Sequence, residues 1–206
     1  MQKGQSSIIF DEAVNEFSSL PGIGKRTAIR LVLHLLKQTP ESIENFGNSV
    51  ISLSSKIKHC SICHNISDDE ICAICANKSR DSSLICVVEN IKDVVAIENT
   101  EQFNGKYHIL GGILSPMDGV GPSDLNFKSL ETRILSENIS EAILALSPTM
   151  EGDTTNFFLY KRLSKFNIKL SIIARGISFG DELEYTNEVT LGRSIVNRKP
   201  FDGKTF

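Results

Sequence analysis

No run of apolar residues in this 206-residue chain approaches the roughly 18 to 20 needed to cross a bilayer. Met1 to Val14 also lacks the basic, apolar and small-residue layout of a signal peptide, so a cytoplasmic protein is expected. Positive charge is not in excess: 22 Lys and Arg stand against 25 Asp and Glu, net −3. The whole field of the molecule therefore does not draw it to a polyanion, and any nucleic-acid contact has to be a local patch. Cysteine is scarce and odd in number, five residues, which argues against a disulfide framework in a chain without an export signal. There is no internal repeat and no low-complexity tract. With 40% hydrophobic and 23% charged residues the composition excludes a disordered tail or a fibre. The length allows one sizeable core with one or two small modules attached.

Four stretches differ in composition. In the first, residues 1–55, Phe10, Val14 and Phe17 fall at helical intervals, Leu20 follows, and Pro21-Gly22 stops the run. A second helix is expected from Lys25, with Ala28, Leu31, Val32, Leu35 and Leu36 on its apolar face, ending before Pro40. Two helices joined at a glycine turn make a helical hairpin. The second stretch, residues 56–80, is too polar to own a core and needs some other organiser. From residue 81 to 178 strands and helices alternate. Strands are expected at Leu84–Val88, Tyr107–Leu110, Ala142–Leu146 and Lys169–Ala174, and helices at Ile91–Asn99, Leu125–Glu137 and Thr154–Phe166. That alternation implies an α/β fold with a mostly parallel sheet covered by helices. Residues 179–206 are short and mixed and carry Arg193, Arg198, Lys199 and Lys204.

The strongest chemical signal is Cys60-x-x-Cys63 followed by Cys72-x-x-Cys75. Each pair can offer two sulfurs to one ion from a tight knuckle, and two knuckles complete the thiolate tetrahedron that zinc favours. Four thiolates leave no open coordination position, so such an ion holds structure and does not activate water. His59 and His64 flank the knuckles as bystanders. Cys86, in the middle of a strand pattern, reads as a small buried hydrophobe.

The second signal is Leu20-Pro21-Gly22-Ile23-Gly24-Lys25-Arg26. Gly22 and Gly24 let the backbone turn with its amides exposed at the start of the second helix, where the helix dipole also favours an anion. The helix then supplies Lys25, Arg26, Arg30 and Lys37, with no acid between Phe17 and Pro40. This local basic surface in a net acidic chain suits phosphates and not base edges, and it is the expected DNA contact. The alternative is an ordinary helix cap and loop.

A third set consists of acids at strand ends. Glu89 follows the first strand, and Glu151-Gly152-Asp153 is expected in the loop between the third strand and its helix. Loops at the carboxyl ends of parallel strands gather in one crevice, so Glu89, Glu151 and Asp153 could hold Mg²⁺. Acids that begin helices are also common because they suit the dipole. The glycines of 111–121 match no phosphate-loop pattern, so no nucleotide cradle is expected; Pro122 is a candidate helix start.

The order of these motifs, with Val87-Val88-Glu89, Tyr107 to Pro116, Pro148-Thr149-Met150-Glu151-Gly152 and Gly180 to Tyr185, resembles the family of bacterial RecR recombination mediators over essentially the whole chain. The resemblance implies a helix-hairpin-helix, a four-cysteine zinc finger, a Toprim domain and a carboxyl-terminal segment that helps assemble a homodimer or homotetramer around or beside DNA. It implies no enzymatic activity, and partnership with RecO, and sometimes RecF, in loading RecA onto gapped single-stranded DNA. The family's zinc ligands fall on Cys60, Cys63, Cys72 and Cys75, its DNA-contacting basic positions on Arg26 and Arg30, and the Toprim glutamate on Glu89. The paired Toprim acids appear as Glu151-x-Asp153, a longer first arm than Asp-x-Asp. Ile172 and Ser178 depart from the arginine and proline of many relatives. The rival expectation is a magnesium-dependent Toprim nuclease or topoisomerase-like enzyme, with Glu89 as general base and Asp153 as metal ligand.

Overall fold

The computed structural model describes residues 7–178, 180–200 and 203; Phe179 and Lys204, within the expected carboxyl-terminal segment, lie outside them. The chain folds as two compact units, Met1–Ile57 and Lys58–Phe206.

The first unit contains α1 (Ile8–Ser18), α2 (Lys25–Leu35) and α3 (Pro40–Lys56). The expected hairpin is present: Val14 of α1 packs with Ala28 and Val32 of α2, ringed by Phe10, Ala13, Phe17, Ile23 and Ile29. Leu36, placed on the apolar face by its spacing, stays exposed. Helix α3 goes beyond the hairpin that the sequence pattern predicts. Pro40 stops α2 but also stands in the first turn of α3, where a missing N–H costs nothing, and the Thr39 hydroxyl caps that turn by accepting from Ser42 N at 3.3 Å. No residue of α3 is buried.

The second unit begins with a short antiparallel pair, β1 (Lys58–His59) and β2 (Ile66–Ser67), and the single turn α4 (Ala73–Ala76). The alternating pattern follows: β3 (Leu84–Val88), α5 (Ile91–Glu98), β4 (Lys106–Ile109), α6 (Phe127–Ser136), β5 (Glu141–Ala145), α7 (Met150–Leu163), β6 (Lys169–Ile172) and, after a loop, α8 (Glu188–Val196). The four longer strands pair in the order β4-β3-β5-β6, all parallel. Side chains alternate along β3. Ile85 and Val87 join Phe127, Leu130, Leu144, Leu159 and Leu163 in the core shared with α6 and α7, whereas Cys86 and Val88 join Val94, Tyr107 and Ile109 beneath α5. Both faces of the sheet are therefore covered, as a parallel sheet requires. Cys86 is buried as expected, and desolvation pushes its thiol up to about 12.

Two boundaries differ from the sequence pattern. Pro122 starts no helix; it lies in a turn closed by Asp124, whose carboxylate accepts from Gly121 N at 2.8 Å, and α6 begins at Phe127. Helix α7 begins at Met150, not Thr154, because the Thr149 hydroxyl accepts from Gly152 N at 3.1 Å and closes the first turn early. Glu151 and Asp153 therefore ride on the first turn of α7, where their charge suits the dipole, and not in a free loop.

Gly152 is buried at that turn, and a Cβ there would collide with the Ser147 carbonyl oxygen. Gly152→Ala is therefore expected to cost about 1–3 kcal/mol, as overpacking against rigid backbone does, read from the midpoint of urea unfolding. An unchanged midpoint would mean that the strand-to-helix turn is looser than it stands here.

Candidate metal centre and nucleic-acid interface

Four sulfurs organise the segment that begins the second unit. Cys60, Cys63, Cys72 and Cys75 are buried, unpaired by disulfides, and have Sγ atoms all within 4.8 Å of one another; Cys63 and Cys72 stand 3.5 Å apart. Sulfurs around a zinc ion with Zn–S bonds of about 2.3 Å sit roughly 3.8 Å apart, so the donor set fits. Among the described residues, this is the one converging group of three or more His, Cys, Asp or Glu side chains. Around it the backbone supplies the outer contacts that orient ligands: Cys72 N donates to Cys60 Sγ at 3.3 Å and Cys75 N to Cys72 Sγ at 3.5 Å. Although burial raises the Cys60 thiol, amides of Cys72, Cys63 and Ile62 prevail and bring it to about 7, whereas the sulfur of Cys75 and burial push Cys63 up.

The knuckle is docked on the sheet. Ile109 N donates to Cys63 O at 2.9 Å and Lys106 Nζ to Cys75 O at 3.3 Å, so the knuckle covers β4, an edge strand that would otherwise present unpaired backbone groups. Ile74 packs both on the cysteines and under α5. His64 is no metal ligand in the cluster but more than a bystander, since it ties the knuckle to α6: it has a left-handed φ of 65° and its Nε2 lies 2.8 Å from Ser129 Oγ. His59 stays exposed on β1.

The hairpin presents the second candidate surface. Gly22 has φ 78°, a left-handed conformation that favours glycine, and open space lies where a Cβ would stand at both Gly22 and Gly24. Gly24 caps α2 without any side-chain bond, and the amides of Lys25, Arg26 and Thr27 meet no acceptor among the described residues. Donors are thus left facing out at the positive end of an 11-residue helix. Arg26 and Arg30 lie one turn apart on α2 and line a groove of about 680 Å³ with His34 and Lys37; Lys37, expected on the helix, falls in the turn after its end at Leu35. Neither they nor Lys25 enter an ion pair among the described residues. Their charge is therefore free for an external anion.

The acids are not brought together. Glu89 accepts from Ser147 Oγ at 3.3 Å, Glu151 is exposed, and Asp153 faces two guanidiniums: Arg175 Nη2 at 2.6 Å and Arg193 Nη1 at 3.9 Å. The Arg175 guanidinium holds the Asp153 carboxyl below its ordinary range. A carboxylate already neutralised by arginine is a poor ligand for Mg²⁺, so this donor set does not fit that ion. Arg175 belongs to no sequence motif; its place three residues past the carboxyl end of β6 is the signal that marks it.

Stripping the ion from the native protein with a chelator is expected to speed hydrogen exchange at Ile109 and Cys60 far more than in β3 and β5, because the knuckle's hydrogen bonds depend on it. Equal exchange with and without chelator would separate the knuckle from any metal.

Known proteins agree with this arrangement. Family models match in chain order: the RecR helix-hairpin-helix at residues 10–52, the RecR four-cysteine zinc finger domain at 57–77, the Toprim domain at 83–174 and the RecR C-terminal model at 176–199. The recombination protein RecR of Bacteroides thetaiotaomicron is 61% identical over 203 residues, 98% of this chain and 99% of that protein. Those of Bacteroides fragilis and Flavobacterium johnsoniae are 60% and 58% identical, over 98% of this chain and 99% and 97% of theirs. With every element of the fold matched and identity sustained along nearly the whole length, the chain belongs to the RecR family of recombination proteins.

Proposed function

We propose that the chain is a non-enzymatic mediator of recombinational DNA repair that grips DNA through its hairpin and acts with RecO, and in some settings RecF, to load RecA onto gapped single-stranded DNA. The carrying observation is the turn at Gly22–Gly24: unpartnered amides at the head of α2, followed by Lys25, Arg26 and Arg30 with no acid paired to them. Such a surface contacts the phosphate backbone and reads no sequence. The named recombination proteins among the relatives support the same role.

One hairpin supplies few phosphate contacts, and each adds a modest, salt-sensitive gain. Several hairpins in one homodimer or homotetramer would bind with the advantage of effective concentration. The apolar surface supports assembly with further copies of the chain. Ile43, Phe46, Val50 and Leu53 lie exposed along α3, and Leu183, Tyr185, Val189 and Ile195 lie exposed in and around α8. Residues 81–206 carry 13 basic and 17 acidic side chains, and this acidic balance suits a basic surface on a protein partner such as RecO. One structural Zn²⁺ per chain on Cys60, Cys63, Cys72 and Cys75 completes the reading. The magnesium-dependent nuclease is not favoured, since Asp153 is occupied by Arg175.

Arg26→Ala combined with Arg30→Ala is expected to abolish DNA binding in a titration at low salt. Every phosphate that goes unneutralised should flatten the slope of log K against log salt by about 0.7 to 0.9. Binding at wild-type strength would overturn the hairpin assignment. Incubated with supercoiled plasmid and Mg²⁺ or Mn²⁺, the protein should leave the plasmid intact; nicking that disappears in Glu89→Ala would instead establish the enzyme.

A further inference from the structure

A parallel sheet concentrates loops beyond the carboxyl ends of its strands, and ligands of open α/β sheets gather there. In this chain that region is a cavity of about 400 Å³ between the segments that follow β5 and β6 and the helix α8. Its lining includes Arg175, Arg193, Asn187 and Thr190, and no acidic side chain. Asp153, the acid that would head a cation site, contacts both guanidiniums from outside the lining. The lining thus carries two guanidiniums and no carboxylate of its own, with Asp153 paired to both, the reverse of what a divalent cation needs.

The hydrogen-bond inventory points the same way. Arg175 pairs with Asp153 through Nη2 as an ion pair, while its buried Nε has no hydrogen-bond partner among the described residues. Arg193 lies 3.9 Å from Asp153 and is more than half exposed, with side-chain accessibility 58%, so its fork is largely uncommitted. Asn187 spends its oxygen on Val189 N at 2.9 Å, which leaves its amide nitrogen to donate, and the Thr190 hydroxyl is engaged by no partner among the described residues. Ser194, also on the wall, already donates to Thr190 O at 2.8 Å and adds no further donor. Four donor side chains of three kinds thus remain around one cavity, and among the described residues Asp153 is the carboxylate paired with its guanidiniums. Guanidinium forks match oxyanions in plane and spacing, and a tetrahedral anion has enough oxygens to satisfy all four donors.

We infer that the crevice at the carboxyl end of the sheet is a phosphate-binding pocket formed by Arg175, Arg193, Asn187 and Thr190, in place of the divalent-cation site that the fold would lead one to expect. Asp153 is its internal competitor: it holds Arg175 in position and lowers the pocket's affinity for an external anion. The pocket is separate from the hairpin, and its occupancy does not depend on the DNA reading above.

The test uses the full-length, metal-loaded protein, with inorganic phosphate, a short single-stranded oligothymidylate and Mn²⁺ as probes. Calorimetric titration should detect phosphate binding that weakens at least about tenfold in Arg193→Gln, an exposed position whose loss leaves the core untouched. Asp153→Asn should tighten it by about threefold or more, since a competing charge is removed. Arg26→Ala with Arg30→Ala should leave the phosphate response unchanged, which keeps a failure here distinct from a failure of the hairpin. If oligothymidylate competes with phosphate in that double variant, the natural ligand is a strand phosphate; if it does not, the ligand is a free phosphate compound, and either outcome supports the pocket. Electron paramagnetic resonance should show Mn²⁺ remaining free. Absence of phosphate binding in the wild type, equal binding in Arg193→Gln, or Mn²⁺ capture that disappears in Asp153→Asn would each overturn the inference.

Discussion

The constraint that governs this molecule is how little apolar surface its amino-terminal helices can bury by themselves. In the unit Met1–Ile57, the buried core comprises Val14, Ala28 and Val32, whereas Ile8, Ile9, Leu33, Phe46, Val50 and Ile51 are exposed. Large apolar side chains exposed in this number on three short helices are surface that a partner could cover. The shortage bears directly on DNA contact. The turn that offers free amides and guanidiniums is carried by this thin-cored scaffold, so the assembly proposed above would cover apolar surface and multiply the turns at once.

The second unit solves a different problem with different chemistry. Its sheet is buried on both faces, so strand register is well determined, yet β4 is left as an edge. The four-cysteine knuckle closes that edge through Ile109 N and Cys63 O, with His64 and Ser129 making a second tie to α6. A segment too polar to hold its own core is thus gathered around four cysteine sulfurs, and in turn shields the backbone of the sheet. The other end of the sheet carries guanidiniums against Asp153, which turns a site suited in principle to cation chemistry into one that attracts anions.

Legibility in the sequence followed the range of the interaction. Cys60, Cys63, Cys72 and Cys75 declare themselves because two tight knuckles need a fixed local spacing. The strand Leu84–Val88 was readable to the residue because a short apolar run buried on both faces has few other uses. The hairpin turn is visible because the left-handed φ at Gly22 favours glycine, which the sequence shows between two apolar helical patterns. Helix α3 was hidden by the double meaning of Pro40, which ends one helix and begins the next. The start of α7 was set by a hydroxyl cap at Thr149 together with a glycine that packs against Ser147, a match that periodicity does not register. The ion pairs of Asp153 were out of reach for a further reason: Arg175 and Arg193 approach it only after β6 and α8 are in place.

The coupling of assembly to DNA contact is the account's central claim, and sedimentation velocity of the metal-loaded protein at cellular concentration, with and without a fluorescent single-stranded oligonucleotide, tests it most directly. The account requires a dimer or larger species that carries the oligonucleotide as an assembly. A particle that stays strictly monomeric, and that takes up the oligonucleotide at full strength as a monomer, would contradict it.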